Sequence, residues 1–153
     1  MSDKMRWRYG ETNPMIGVPD SSVLIEIGDF LIYDSDKVFP ASSTVKGANK
    51  TATQTTCTSK FLGVAMQRSP VGETNPIRVA TTGVFEMDCK GKTFVLGSLV
   101  GVNDKTDGTL CTQEVDLVTD VTAAIGRVVR REPVAVNTVL VGIKSKIIEG
   151  GVK

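Results

Sequence analysis

Histidine is absent from this chain of 153 residues. That removes Ser-His-Asp and Cys-His catalysis and every histidine-based metal site. Cysteine is scarce. Cys57, Cys89 and Cys111 are an odd number with no C-x-x-C pair. They fit neither a disulfide framework nor a zinc ribbon, and they suit a reducing, cytosolic folding environment. Aromatics make up 5% of residues, which leaves little to line a ring-walled ligand groove. Neither charge sign prevails: 18 Lys+Arg stand against 17 Asp+Glu, a net charge of +1. Broad nucleic-acid binding needs a basic face and is not expected. No apolar run is long enough to cross a bilayer, and the first residues lack the apolar core of a signal peptide. The expectation is a soluble protein, not exported by the usual route.

What is present is globular: 41% hydrophobic and 23% charged. The length suits one domain or two very small ones, enough to bury a core without disulfides or metals. Val and Thr are abundant and Gly is frequent, as in strands and turns. Short apolar runs fall at 23–27, 30–33, 61–66, 77–80, 83–87, 93–96, 99–102, 125–129 and 139–143, closely bounded by Gly, Pro, Asn or Asp. Runs of this length and spacing predict an all-β barrel or sandwich. Segments 50–59 and 118–124 have room for a turn or two of helix, each before a strand.

Laid against itself, the chain repeats. Gly28-Asp29-Phe30-Leu31-Ile32-Tyr33 resembles Gly97-Ser98-Leu99-Val100-Gly101-Val102. Phe61-Leu62-Gly63-Val64 resembles Ala124-Ile125-Gly126-Arg127, and Ile77-Arg78-Val79-Ala80 resembles Val139-Leu140-Val141-Gly142. This reads as a small pseudo-duplicated β-barrel, one ring closed by both halves, which leaves no sheet edge open. The expected organisation is an extended N-terminal arm over 1–22, a β-barrel domain over 23–148 and a C-terminal tail over 149–153. One pentapeptide recurs identically: Gly10-Glu11-Thr12-Asn13-Pro14 and Gly72-Glu73-Thr74-Asn75-Pro76. Asn-Pro holds its first residue extended, so each copy should be a turn that launches a strand.

The arm interleaves Arg6, Trp7, Arg8 and Tyr9, followed by Asn13, Pro14 and Pro19. Trp7 is the sole tryptophan. Trp, Tyr and Arg are the residues that most often anchor interfaces. The candidate interface residues are therefore Arg6, Trp7, Arg8, Tyr9, Asn13 and Pro14. The Ser/Thr/Ala/Lys-rich stretch 41–59 reads as a long exposed loop. No phosphate-binding loop is present, because Gly91-Lys92-Thr93 lacks the upstream glycine. The 103–108 segment lacks the distal Glu of a calcium loop and reads as a turn. No catalytic, cofactor or metal residue is nominated.

The order Ile27-Gly28-Asp29-Phe30-Leu31-Ile32-Tyr33, Lys37-Val38-Phe39-Pro40-Ala41-Ser42, Phe61-Leu62-Gly63-Val64-Ala65-Met66, Ile77 to Glu86 and Ala124-Ile125-Gly126-Arg127-Val128 resembles one family. It is the small capsid decoration (cement, or head-stabilising) proteins of tailed bacteriophages, with related prophage proteins. The resemblance implies a non-enzymatic structural virion protein without cofactor. It would bind the major capsid protein at repeated lattice sites as a homo-oligomer, a trimer being favoured. It would sit on the capsid surface of the virion, and in the host cytoplasm during assembly, with no nucleic-acid or membrane partner. The rivals are a virion-displayed module binding a host receptor or carbohydrate, and an enzyme that works without histidine.

Overall fold

The computed structural model describes residues 3–148; the expected tail over 149–153 lies outside them. The chain is mostly β, with 48% strand and 11% helix. It lays down one five-strand pattern twice. The first copy comprises β2 (Met15–Gly17), β3 (Phe30–Asp34), β4 (Lys37–Pro40), β5 (Phe61–Ala65) and β6 (Ile77–Ala80), in the sheet order β2-β6-β5-β3-β4. The second comprises β7 (Thr82–Phe94), β8 (Leu99–Asp104), β9 (Leu110–Leu117), β10 (Gly126–Val128) and β11 (Glu132–Lys144), in the order β7-β11-β10-β8-β9. Adding five to each strand number converts one order into the other.

The equivalence extends to register. Leu31 pairs with Gly63, and Val100 with Gly126, the residues that the internal repeat aligns. A Cβ on Gly63 would lie 1.9 Å from the Ala80 carbonyl oxygen; on Gly126 it would lie 2.2 Å from that of Gly142. Both glycines therefore permit the same close backbone approach, which no other residue allows.

Ring closure differs from the expectation in one respect. The second repeat closes on itself through a parallel contact of β7 with β9 at Asp88 and Glu114. The first is drawn shut by its own parallel bridge, Pro19 to Val38. There Val38 N donates to Val18 O at 3.0 Å and Asp20 N donates to Val38 O at 3.1 Å. The single ring built from both halves is thus corrected: each repeat holds all five strands that closure requires. Ile25, Leu31, Val38, Leu62, Ile77 and Val79 form the core of the first repeat. Strand alternation turns Phe30, Ile32, Phe61 and Val64 the other way, into one cluster with Phe85, Val100, Val115 and Val141 of the second. Phe30 and Phe61 meet edge to face at 6.2 Å. Each buried ring contributes about 2–3 kcal/mol, so the repeats fold onto one another as one body.

Two further corrections concern irregular segments. Segment 50–59, expected to have room for a turn or two of helix, is the helix α1 (Lys50–Ser59), so the exposed loop expected over 41–59 is corrected over its second half. Asn49 caps it by accepting from Ala52 N at 2.9 Å, and Thr53, Gln54, Cys57 and Thr58 are its buried face. No Gly or Pro interrupts those ten residues. The second weak helical segment shortens to a 3₁₀ turn, Val121–Ala123, in the equivalent place between β9 and β10. The extended arm expected over 1–22 is, among its described residues, two strands. β1 (Trp7–Tyr9) pairs with β7, and β2 leads the first ring, N-terminal to the boundary expected at residue 23. Pro14 and Pro19 do not prevent this, since both lie just outside β2. Both Asn-Pro copies do launch strands, β2 and β6. These pair antiparallel, so the copies sit at opposite ends of the pair.

Candidate interaction surface

Arg6, just before β1, and Arg8 within it both reach acids of β7, while Trp7 pairs with Phe85 and a shift of register after it sets Tyr9 against Val84. Arg6 is 3% exposed. Its Nη1 and Nη2 each donate to Asp88 at 3.0 Å, one to each carboxylate oxygen, and Nη1 also reaches Glu86 O at 3.1 Å. Its Nε donates to Gln113 Oε1 at 2.7 Å, and Gln113 Nε2 donates to Asp29 Oδ1 at 2.9 Å. A buried polar chain therefore joins β1, the first repeat and the second. Asp29 itself is 3% exposed, and burial pushes its carboxyl up from the ordinary value.

Arg8 lies at the surface. It grips Glu86 Oε1 with Nε at 3.1 Å and Nη2 at 2.7 Å, and the hydrogen bond holds the Glu86 carboxyl below its usual range. β7 supplies both acids at i and i+2, matching Arg6 just before β1 and Arg8 within it. The two arginines thus fix β1 on β7, and their charges are met within the chain.

Met5, Trp7 and Tyr9 are 48%, 40% and 52% exposed, three large apolar side chains on and just before one short strand. Trp7 Nε1 donates to Gly10 O at 2.9 Å, which pins the indole over the turn that follows. Asn13 adopts a positive φ of 40° and its Nδ2 donates to Thr82 Oγ1 at 2.7 Å; Thr81 Oγ1 donates to Asn13 O at 2.6 Å. Asn13 thereby clamps the 10–14 turn to the start of β7, and exposed Pro14 leads into β2.

All six residues read from the sequence fall on this apron around the start of β7. They divide into clamps (Arg6, Arg8, Asn13) and outward groups (Trp7, Tyr9, Pro14). Met5 and the anchoring acids Asp88 and Glu86 were not foreseen. The period-two pattern Met5-Arg6-Trp7-Arg8-Tyr9 was the signal for a strand.

Elsewhere the chain offers little chemistry. Cys57, Cys89 and Cys111 are free and buried. Burial pushes the Cys57 thiol up to about 11 and raises the other two, which keeps thiolate scarce. Among the described residues no three Cys, Asp or Glu side chains gather to hold a metal ion. Lys50 joins Asp116 at 2.5 Å and Asp104 at 3.7 Å, and Lys92 joins Asp116 at 3.1 Å, a network that ties α1 to the second repeat. Comparison with protein-family models, with curated proteins and with solved structures returned no match.

Proposed function

We propose that this chain is a structural virion protein that decorates and stabilises the capsid shell of a tailed bacteriophage. It binds the major capsid protein at repeated lattice sites as a homo-oligomer, a trimer being favoured, and works without cofactor or catalysis. The observation that carries this reading is the exposure of Met5, Trp7 and Tyr9 on and beside a strand that two arginine–carboxylate pairs fasten to the barrel. Rigid aromatic side chains lose little conformational entropy on docking and suit a protein interface. Many copies on a lattice multiply a modest contact into firm attachment. The family resemblance of the repeat strands supplies the shell as the partner.

The test is sedimentation of the protein with undecorated shells assembled from its own phage's capsid protein. Trp7→Ala with Tyr9→Ala should leave the melting curve close to the parent's and weaken shell binding by at least about tenfold, a loss of about 1.4 kcal/mol per site. Unchanged binding would remove this surface from the attachment. The same aromatic pair also favours a second reading, a displayed module that stacks sugar rings on Trp7 and Tyr9. Retained shell binding with lost glycan binding would select it.

A further inference from the structure

Two exposed apolar surfaces lie on different repeats. The first is a groove of ≈ 390 Å³ between β2 and the β3–β4 hairpin of the first repeat. Val38 and Leu62, 3% and 2% exposed, form its floor. Ile16, Val18 and Ile147 stand along it and are 58%, 41% and 44% exposed. The second is the turn from β7 into β8, at the end of the long ribbon of the second repeat. There Val95 and Leu96 are 74% and 64% exposed. The fold pins this turn. Ser98 N donates to Val95 O at 3.1 Å, Gly97 N to Val128 O at 2.8 Å, and Arg127 Nη1 to Gly97 O at 2.9 Å. A fixed turn loses little conformational entropy on docking.

The charges around the two surfaces pair off and leave opposite remainders. At the groove, Lys37 joins Asp20 at 3.4 Å and Lys60 joins Asp34 at 3.3 Å. Asp36, in the hairpin turn that lines the groove, is exposed and makes no ion pair among the described residues. Lys146, before Ile147, lines a different cavity, and Glu149, two residues after Ile147, lies outside the described residues. At the ribbon end, Arg130 reaches Glu132 at 3.9 Å. Arg131 is exposed, makes no ion pair among the described residues and lines one recess with Val95 and Leu96.

We propose that the groove receives the Val95–Leu96 turn of a second copy of this chain, with Arg131 of that copy set against Asp36. The turn of each copy enters the groove of the next, and three such joints close the trimer, so the proposal rests on the homo-oligomer of the reading above. Charge selects this head-to-tail arrangement. Groove packed on groove across a twofold axis would gather the Asp36 carboxylates, and turn on turn the Arg131 guanidinium groups. Turn on groove brings opposite charges together.

The test is sedimentation velocity of the full chain, and the parent should sediment as a trimer. Leu96→Asp and Ile16→Asp, each at an exposed position, should each sediment as a monomer with melting curves close to the parent's. An equimolar mixture of the two keeps one intact joint, the turn of the Ile16→Asp chain in the groove of the Leu96→Asp chain. Its mass should rise with concentration to that of a dimer and stop there. Arg131→Glu should weaken assembly by at least about tenfold. Asp36→Asn added to that chain should recover part of the loss, and Asn suits the positive φ of 67° at this position. Trp7→Ala with Tyr9→Ala should stay trimeric, which separates this joint from the shell-binding face. A trimer that survives both aspartate variants, a mixture with no rise in mass up to about 1 mM, or Arg131→Glu without loss would overturn the proposal and leave shell attachment standing. A monomeric parent would overturn it together with the homo-oligomer, and sedimentation with shells would then test attachment alone.

Discussion

The first repeat builds its ring from strands of three to five residues, whereas β7 and β11 of the second run to 13 residues each. Strand order is the same in both, so the short version already suffices to specify the topology. The extra length in the second repeat serves another purpose. It carries the ribbon past the barrel to an end where Val95, Leu96 and Val134 are exposed. β1 docks at Val84 and Phe85, near the start of β7, so the candidate interaction surface belongs to the second repeat alone, while the glycine pair that makes the repeats alike lies in the backbone of both rings.

The largest effect expected is at the shared glycines. Gly63→Ala and Gly126→Ala would each drive a Cβ into a carbonyl oxygen. Each should cost about 4 kcal/mol or more, because backbone on both strands must shift. Urea denaturation of the two variants measures this. If one substitution is tolerated while the other is not, the positions are not structurally equivalent and the register argument breaks.

A smaller effect separates the two arginines that fasten β1. Asp88→Ala leaves the Arg6 guanidinium buried without its carboxylate and should cost about 3 kcal/mol. Arg6→Met combined with Asp88→Ala should recover much of that loss, since the orphaned charge is removed. Glu86→Ala breaks a pair whose members are 38% and 37% exposed, so about 1 kcal/mol or less is expected. Thermal melts of the three variants test the order. An equal cost for Asp88→Ala and Glu86→Ala would mean that burial does not distinguish the two clamps.

The repeat was legible in three of its five strands, two of them marked by glycine: Gly28 and Gly97 open equivalent strands, and Gly63 and Gly126 sit at equivalent crossings; the third, 77–80 against 139–142, was marked by its Val-rich pattern alone. The hairpin return strands β4 and β9 share no such marker, so nothing signalled that each half was complete in itself. Segment 50–59 was legible as a place for a turn or two of helix but its full ten residues were not, since threonine is a poor helix former and its stability comes from tertiary contacts such as Gln54 Nε2 donating to Val102 O at 2.9 Å. At the candidate site, the aromatic content of residues 7–9 was visible in the sequence. The inward role of Arg6 was not, because its partner Asp88 lies 82 residues away and only the fold brings them together.

The smallest effect concerns pH and again sets the repeats against each other, through Asp29 in the first and Asp116 in the second. Burial raises the Asp29 carboxyl above its unfolded value. Its contribution to stability is then complete below the unfolded pKa and is lost as pH rises through the folded one. Asp116 behaves in the opposite sense. Burial pushes it up, but the hydrogen bonds from Lys50 and Lys92 outweigh that and hold it low. Its contribution is present above the unfolded pKa and is lost as pH falls through the folded one. On acidification from neutrality toward about pH 3, Asp29 therefore gains while Asp116 loses, partly cancelling. Asp116→Asn should flatten the acid side of the stability profile, by under about 1 kcal/mol because solvent reaches this network. Asp29→Asn should steepen it. Urea midpoints measured across that range for both variants and the parent check the signs. Shifts of the same sign in the two variants would show that these carboxylates do not oppose each other in the folded chain.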